Sequence, residues 1–221
     1  MKNIGSYIDH TNLKPAATKA EIAKLCAEAK EHNFASVCVH PFYAPFVKES
    51  LKGSGVWTCT VIGFPLGMNT TATKVRETEE AFGMGCDEFD MVINVGALKD
   101  GRRSYVRDEI AAIVAAAKGR TVKVIIETGL LTDEEKAAAT RLVCEARAHF
   151  AKTCTGISPG AATAEDVLLM KANLSGETKI KASGGIKTYE AARRLIEAGA
   201  ERIGTSSGLA IVEAWKGGQA K

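Results

Sequence analysis

The chain has 221 residues, 46% hydrophobic and 25% charged, with 29 basic against 26 acidic side chains and a formal net charge of +3. That length and composition fit a single globular domain, 1–221, with a full core. The near balance of charge, with no basic block, argues against nucleic acid as a partner while leaving room for a small anionic substrate. No stretch approaches the roughly 20 apolar residues of a membrane span, so no membrane partner is expected. MKNIGSYIDHTNLKP lacks the apolar run of a signal peptide, and a cytoplasmic location with reduced thiols follows. Six cysteines stand singly, without C-x-x-C pairs, and no His/Asp/Glu cluster has metal-ligand spacing; neither a metal nor a cofactor is expected.

Taken in order, the chain alternates between two textures. SYIDHT (6–11) reads as a strand and KAEIAKLCAEAKEHN (19–33) as a helix. ASVCVH (35–40) and WTCTVIGF (57–64) are the next strands, then ATKVRETEEAFGMG (72–85) is helical. EFDMVINVG (88–96), TVKVIIET (121–128) and HFAKTCTG (149–156) follow, separated by helical RDEIAAIVAAAKG (107–119) and TDEEKAAATRLVCEARA (132–148). TAEDVLLMKANL (163–174), TKIKASGG (178–185), TYEAARRLIEAGA (188–200) and ERIGTSSG (201–208) complete the series as helix, strand, helix, strand. Thr132 and Thr163 are suited to N-caps, and Gly85, Gly119 and Gly199 to helix ends.

Eight strand-like runs alternating with helices predict a parallel sheet, closed as a (β/α)8 TIM barrel or open and doubly wound. Nearly every run ends in a reactive or glycine-rich patch, which favours the barrel, because an open sheet gathers its site at one switch point.

Parallel strands covered by helices normally read as continuous apolar runs. Asp90, Lys152 and Lys181 break that pattern in the fourth, sixth and seventh runs. One such residue is well explained by a buried structural ion pair; three converging on one end of a barrel point to a site. Two lysines held together lower each other's affinity for a proton, and a neutral lysine attacks carbonyls to form an imine. Lys152, Lys181 and Asp90 would then supply a nucleophile, a neighbouring cation and a proton carrier.

Other residues carry weaker expectations. Asp9 and His10 fit either a site or a local turn; Glu127 fits either the polar layer or a salt bridge to a rim lysine. His32 and His149 read as structural and His40 as a loop residue. Ser183, Ser206 and Ser207 lack the G-x-S-x-G elbow of a serine hydrolase. Gly184 and Gly185 follow the seventh run; Gly204, Ser206, Ser207 and Gly208 lie in or after the eighth. Barrel loops after these strands often bind phosphate, with Thr155 and Gly156 placed to complete the cradle.

YIDHTNLKP, SVCVHP, VIGFPLG, EFDMVINVG, KVIIETGLL, FAKTCTGI, KASGGIKT and GTSSG together resemble the deoxyribose-phosphate aldolases over essentially the full length. That family is class I with a (β/α)8 fold. The resemblance implies reversible cleavage of 2-deoxy-D-ribose 5-phosphate to acetaldehyde and D-glyceraldehyde 3-phosphate in deoxynucleoside catabolism. By motif match it implies Lys152 as the Schiff-base lysine, Lys181 as the second lysine and Asp90 as the proton-transfer group. It also implies phosphorylated-sugar and aldehyde ligands and a homo-oligomer, dimer or tetramer. Cys154, His40 and Ala161 depart from the family pattern and bear on the pocket's shape. Against a Schiff-base aldolase for a keto acid, Arg76, Arg102, Arg103, Arg107, Arg141 and Arg193 lie in helices and loops. A non-catalytic sugar-phosphate-binding barrel would have no use for two strand lysines.

Overall fold

Alternating strands and helices close on themselves. In the computed structural model, which describes residues 3–219, eight parallel strands form a closed barrel in chain order. They are β1 (Ile8–Asn12), β2 (Ser36–Val39), β3 (Trp57–Ile62), β4 (Glu88–Val92), β5 (Thr121–Ile125), β6 (Phe150–Lys152), β7 (Lys179–Ser183) and β8 (Arg202–Thr205). Closure is made by β1 against β8, with Ile8 opposite Ile203 and His10 opposite Thr205.

The helices are α1 (Lys19–Glu31), α2 (Ala44–Ser50), α3 (Thr71–Gly83), α4 (Val95–Lys99), α5 (Arg103–Ala116), α6 (Asp133–Glu145), α7 (Ala164–Ala172), α8 (Tyr189–Ala198) and α9 (Gly208–Gln219). Thr132 caps α6 in a reciprocal pair with Glu135, and the Thr163 side chain accepts from the Asp166 amide at the start of α7. Such caps satisfy amides that the helix leaves free. Gly85, Gly119 and Gly199 all have positive φ, as expected of residues that stop a helix. The sequence reading left α2, α4 and α9 undescribed: α2 and α4 are short, and α9 carries Gly217 and Gly218 in its last turn.

Residue alternation divides the molecule into two interiors. Phe89, Met91, Val122, Val124, Ala151, Ile180, Ala182 and Ile203 face outward into one hydrophobic core shared with the helices. Cys38, Cys59 and Val61 form a separate small apolar cluster, with Leu13 and Phe64 packed on it. Between the outward residues of β4, β5 and β7 come Glu88, Asp90, Lys123 and Lys181, all buried. A barrel is normally filled by bulky branched side chains. Much of this one is filled by charge.

Candidate active site

Seven charged side chains from six strands meet on the barrel axis. Near the floor, Arg202 from β8 pairs with Glu88 at 2.8 Å and also contacts Asp9 from β1. Above it, Lys123 Nζ lies 2.6 Å from Glu88, 3.0 Å from Asp90 Oδ1 and 3.7 Å from Asp9. Lys181 Nζ is 2.5 Å from Asp9 and 2.6 Å from Asp90 Oδ2. At the top, Lys152 Nζ donates to the same Asp90 oxygen at 2.6 Å. Gly204 makes this possible: a Cβ there would lie 3.0 Å from Lys181 Cε and 2.9 Å from the Ser183 Cβ.

Four cations therefore face three carboxylates. Burial raises the proton affinity of Asp90, but Lys123, Lys152 and Lys181 outweigh it and hold the carboxyl well below the usual range. Asp9 is also held low, burial being overcome by Arg202, Lys181 and Lys123. Burial pulls Lys181 down, yet Asp9 and Asp90 hold it above an ordinary lysine. Lys123 is likewise raised, with Asp90 as its main support against burial. Resting Asp90 is thus a carboxylate and resting Lys181 an ammonium.

The sequence reading singled out Asp90, Lys152 and Lys181, which the fold brings together, left Asp9 open between a site and a turn, and did not single out Glu88, Lys123 or Arg202. A single aspartate does not stand alone against two lysines: Asp9 and Glu88 share the charge. Asp9 takes the interior position, whereas His10 points the other way, its Nε2 2.6 Å from Glu28 on α1 and its ring against Phe34. Among the described residues, Glu127 has no salt-bridge partner. It is buried in a left-handed backbone conformation, and one carboxylate oxygen accepts from the Thr155 amide at 3.0 Å. Strain of this kind costs energy and is retained where the surroundings over-determine it; here it anchors the loop after β6.

Above Lys152 opens a cleft of about 410 Å³. Among its walls are Thr155, Gly156, Ser183, Gly184, Gly185, Gly204 and Ser206, so most of the expected phosphate cradle converges there. Ser207 does not line it; its amide donates to Thr205 Oγ1 at 2.9 Å. Lys14 and Lys187 add two cations to the walls that the sequence reading did not single out. Lys187 stands two residues beyond the Gly184–Gly185 pair, and that spacing is the sequence signal for it. The three residues expected to depart from the family pattern lie around this cleft. Cys154 is buried with its sulfur 3.3 Å from Thr128 Oγ1, and His40 Nε2 lies 3.2 Å from the Leu13 carbonyl oxygen. Ala161 abuts Gly185, where an added Cβ would come within 2.9 Å of its own.

A larger groove of about 990 Å³ lies at the other end of the barrel, lined by Thr121, His149, Lys179 and Glu201 among others, but by none of the charged network. In barrels of this type, chemistry belongs to the C-terminal ends of the strands and the opposite face to stability. The cleft above Lys152 is therefore the candidate site.

Reactive groups gathered from several strands under a C-terminal cleft define a (β/α)8 barrel enzyme. Residues 4–214 match the model of the DeoC/LacD family aldolases, and the chain belongs to that family. It is 54% identical over 209 residues to a deoxyribose-phosphate aldolase of Dictyoglomus turgidum, covering 95% of each chain. A Bdellovibrio bacteriovorus protein of the same name is 55% identical over 210 residues, covering 95% of this chain and 96% of that one. Among solved structures, the aldolase QR15 superposes with a TM-score of 0.94 at 40% identity, covering 100% of this chain and 99% of the other. A tetrameric deoxyribose phosphate aldolase of Aeropyrum pernix gives 0.89 at 32% identity, covering 96% and 91%. No helix of the described residues is long and apolar enough to cross a membrane.

Proposed function

We propose that this aldolase reversibly cleaves 2-deoxy-D-ribose 5-phosphate to acetaldehyde and D-glyceraldehyde 3-phosphate through a Schiff base on Lys152, in deoxynucleoside catabolism. One observation carries the reading: of the four interior cations, Lys152 alone lines the cleft. Lys123, Lys181 and Arg202 are enclosed by carboxylates beneath it.

The charge count supports a nucleophilic amine. Four cations face three carboxylates, and Lys152 is the one of the four whose nitrogen lies at the mouth, within reach of a carbonyl in the cleft. The amine attacks the C1 carbonyl of the open-chain sugar, and loss of water gives the iminium. The C3 hydroxyl then gives up its proton, the C2–C3 bond breaks towards the iminium, and glyceraldehyde 3-phosphate departs. The enamine takes a proton at C2, and water hydrolyses the acetaldehyde imine to restore Lys152. Water released in the first step is consumed in the last.

Asp90 is the proton carrier in this reading, acting directly or through a bound water. In the resting site three lysines suppress its basicity. The iminium keeps its positive charge until the C2–C3 bond breaks and turns it into a neutral enamine; the suppression eases in that same step, in which the carboxylate accepts the C3 proton, later returning it at C2. Lys181 stays charged and supports the change.

Gly184, Gly185, Gly204 and Ser206 would receive the 5-phosphate with Thr155 and Gly156, Lys14 and Lys187 adding charge. Ser207, which does not line the cleft, would act only from behind it at the start of α9, where the helix dipole favours an anion. The family and the named activity of the two relatives favour this substrate over other phosphorylated sugars. A keto-acid aldolase would need a free carboxylate-binding arginine at the mouth, while Arg202 is engaged at the floor. The Aeropyrum pernix tetramer supports a homo-oligomeric state.

The test is mass spectrometry after borohydride reduction with substrate. The adduct should map to Lys152, and Lys152→Ala should abolish both adduct and cleavage. An adduct on Lys181 would overturn the assignment.

A further inference from the structure

Two thiols meet the charged network where no step above uses them. Cys38 on β2 and Cys59 on β3 are register partners on adjacent strands, and both are buried inside the barrel. Cys59 Sγ lies 3.3 Å from Asp90 Oδ1 and 3.4 Å from Lys123 Nζ. One ligand atom from each of Cys38, Cys59 and Asp90 lies within 4.8 Å of the other two. Among the described residues, this is the one such group of His, Cys, Asp or Glu side chains.

We propose that Cys38, Cys59 and Asp90 form a binding site for a thiophilic divalent cation, and that its occupancy inhibits the aldolase by drawing Asp90 away from its lysines.

The geometry needs little adjustment. A tetrahedral centre with metal–sulfur bonds of about 2.3 Å and metal–oxygen bonds of about 2.1 Å has ligand–ligand edges of roughly 3.6–3.8 Å. The observed S···O separation of 3.3 Å is slightly short of that, and the 4.8 Å bound on the trio is about one ångström beyond it. Small side-chain rotations on three rigid strands bridge the difference. Two thiolates and one carboxylate leave a coordination position for water, and sulfur ligation selects soft cations over magnesium or calcium.

Charge does not forbid the site despite four cations nearby. A divalent ion that enters displaces two thiol protons, so the net charge of the interior is unchanged. Lys123, beside Cys59, stabilises the thiolate that forms. The neighbouring Val61, Leu13 and Phe64 supply the dry shell that strengthens metal–sulfur bonding. The remaining cysteines offer no comparable pair: Cys26 and Cys86 lie in the outer core, Cys144 at the floor groove and Cys154 beside Thr128.

Binding and inhibition are separable. Binding depends only on the three ligands, whereas inhibition rests on the role proposed for Asp90. The test uses the reduced full-length protein and Cd²⁺ as probe. An ultraviolet thiolate-to-cadmium band should rise to one equivalent, with aldol cleavage falling in parallel and returning on addition of EDTA. Cys38→Ala and Cys59→Ala should each weaken Cd²⁺ binding by at least about a hundredfold and remove the inhibition. Cys144→Ala should change neither, and Asp90→Asn should keep the band with weaker binding. A variant-free check is the anomalous signal of cadmium in crystals, which should fall between the sulfurs of Cys38 and Cys59. No band at one equivalent, an unchanged band in both cysteine variants, or cadmium elsewhere would overturn the site. A saturated band with full activity would overturn the link to Asp90 alone.

Discussion

Lys181→Leu separates electrostatics from packing in the proposed mechanism, because the leucine keeps much of the side chain's bulk and removes only the charge. Lys152 and Lys181 each sit 2.6 Å from one Asp90 oxygen, so their nitrogens are at most about 5 Å apart. At an effective dielectric constant of about 20, two unit charges at that distance repel by about 3 kcal/mol, equivalent to roughly 2 pH units. Removing Lys181 also leaves three cations against three carboxylates, so the interior loses its surplus positive charge. The acid limb of imine formation should therefore move up by one to two pH units, roughly. The assay is borohydride trapping of acetaldehyde across pH, read as mass gained by the intact protein. Lys181→Arg keeps the charge and should keep the wild-type limb. The variant should also lose about 3–5 kcal/mol of stability, because Asp9 and Asp90 lose a buried partner; trapping must be read where the fold persists. A wild-type limb in Lys181→Leu would refute the electrostatic role of the second lysine.

Asp90→Asn removes the proton carrier but not the amine, so trapping with acetaldehyde should survive while deuterium exchange at its methyl group falls by about a hundredfold or more. Equal losses in both would mean that Asp90 serves imine formation instead. Ser206→Asp places a negative charge in the cleft and should raise KM for deoxyribose 5-phosphate at least about tenfold, with little change for unphosphorylated deoxyribose. Gly185→Asp is a poorer probe, since a Cβ at that position lies 2.9 Å from Ala161 and φ is +74°. Lys123→Met should cost about 3–5 kcal/mol in urea unfolding at neutral pH. Asp9 and Asp90 are depressed, so their pairing is present above about pH 4 and lost as pH falls through their folded values. Lys181 and Lys123 are raised, so theirs is present below about pH 10 and lost only as pH climbs beyond. The Lys123→Met deficit should accordingly stay flat between those limits and shrink in acid; a deficit that varies through neutrality would contradict the pairing.

The barrel was legible because strand runs, helix periods and caps agree along the chain. Thr132 and Thr163 cap the helices they were expected to start, and the glycines that close α3, α5 and α8 take the conformations expected of them. The short sixth strand was legible only by position. β6 spans just Phe150–Lys152, and the residues after it turn at once into the cleft loop. Helix α2 was obscured by Pro45 and its brevity, since seven residues hold too few turns for a period to appear.

Lys152, Lys181 and Asp90 stood out because their neighbours in sequence are apolar or small. Lys123 has the same kind of setting, between Val122 and Val124, but a lysine near the start of a strand fits a solvated end equally well. Arg202 was hidden for the same reason, at the first residue of β8 after Glu201. Strand ends look alike in sequence whether they face water or the barrel axis, and the shear of the barrel decides which. Here that shear brings Arg202 to Glu88 and Asp9, and Lys123 to Glu88 and Asp90. The consequence is mechanistic as well as structural. In the proposed mechanism, two residues that never reach the cleft would share in setting the charge around Asp90 and Lys181, so the reactivity asked of Lys152 would depend on side chains from the floor of the barrel upward.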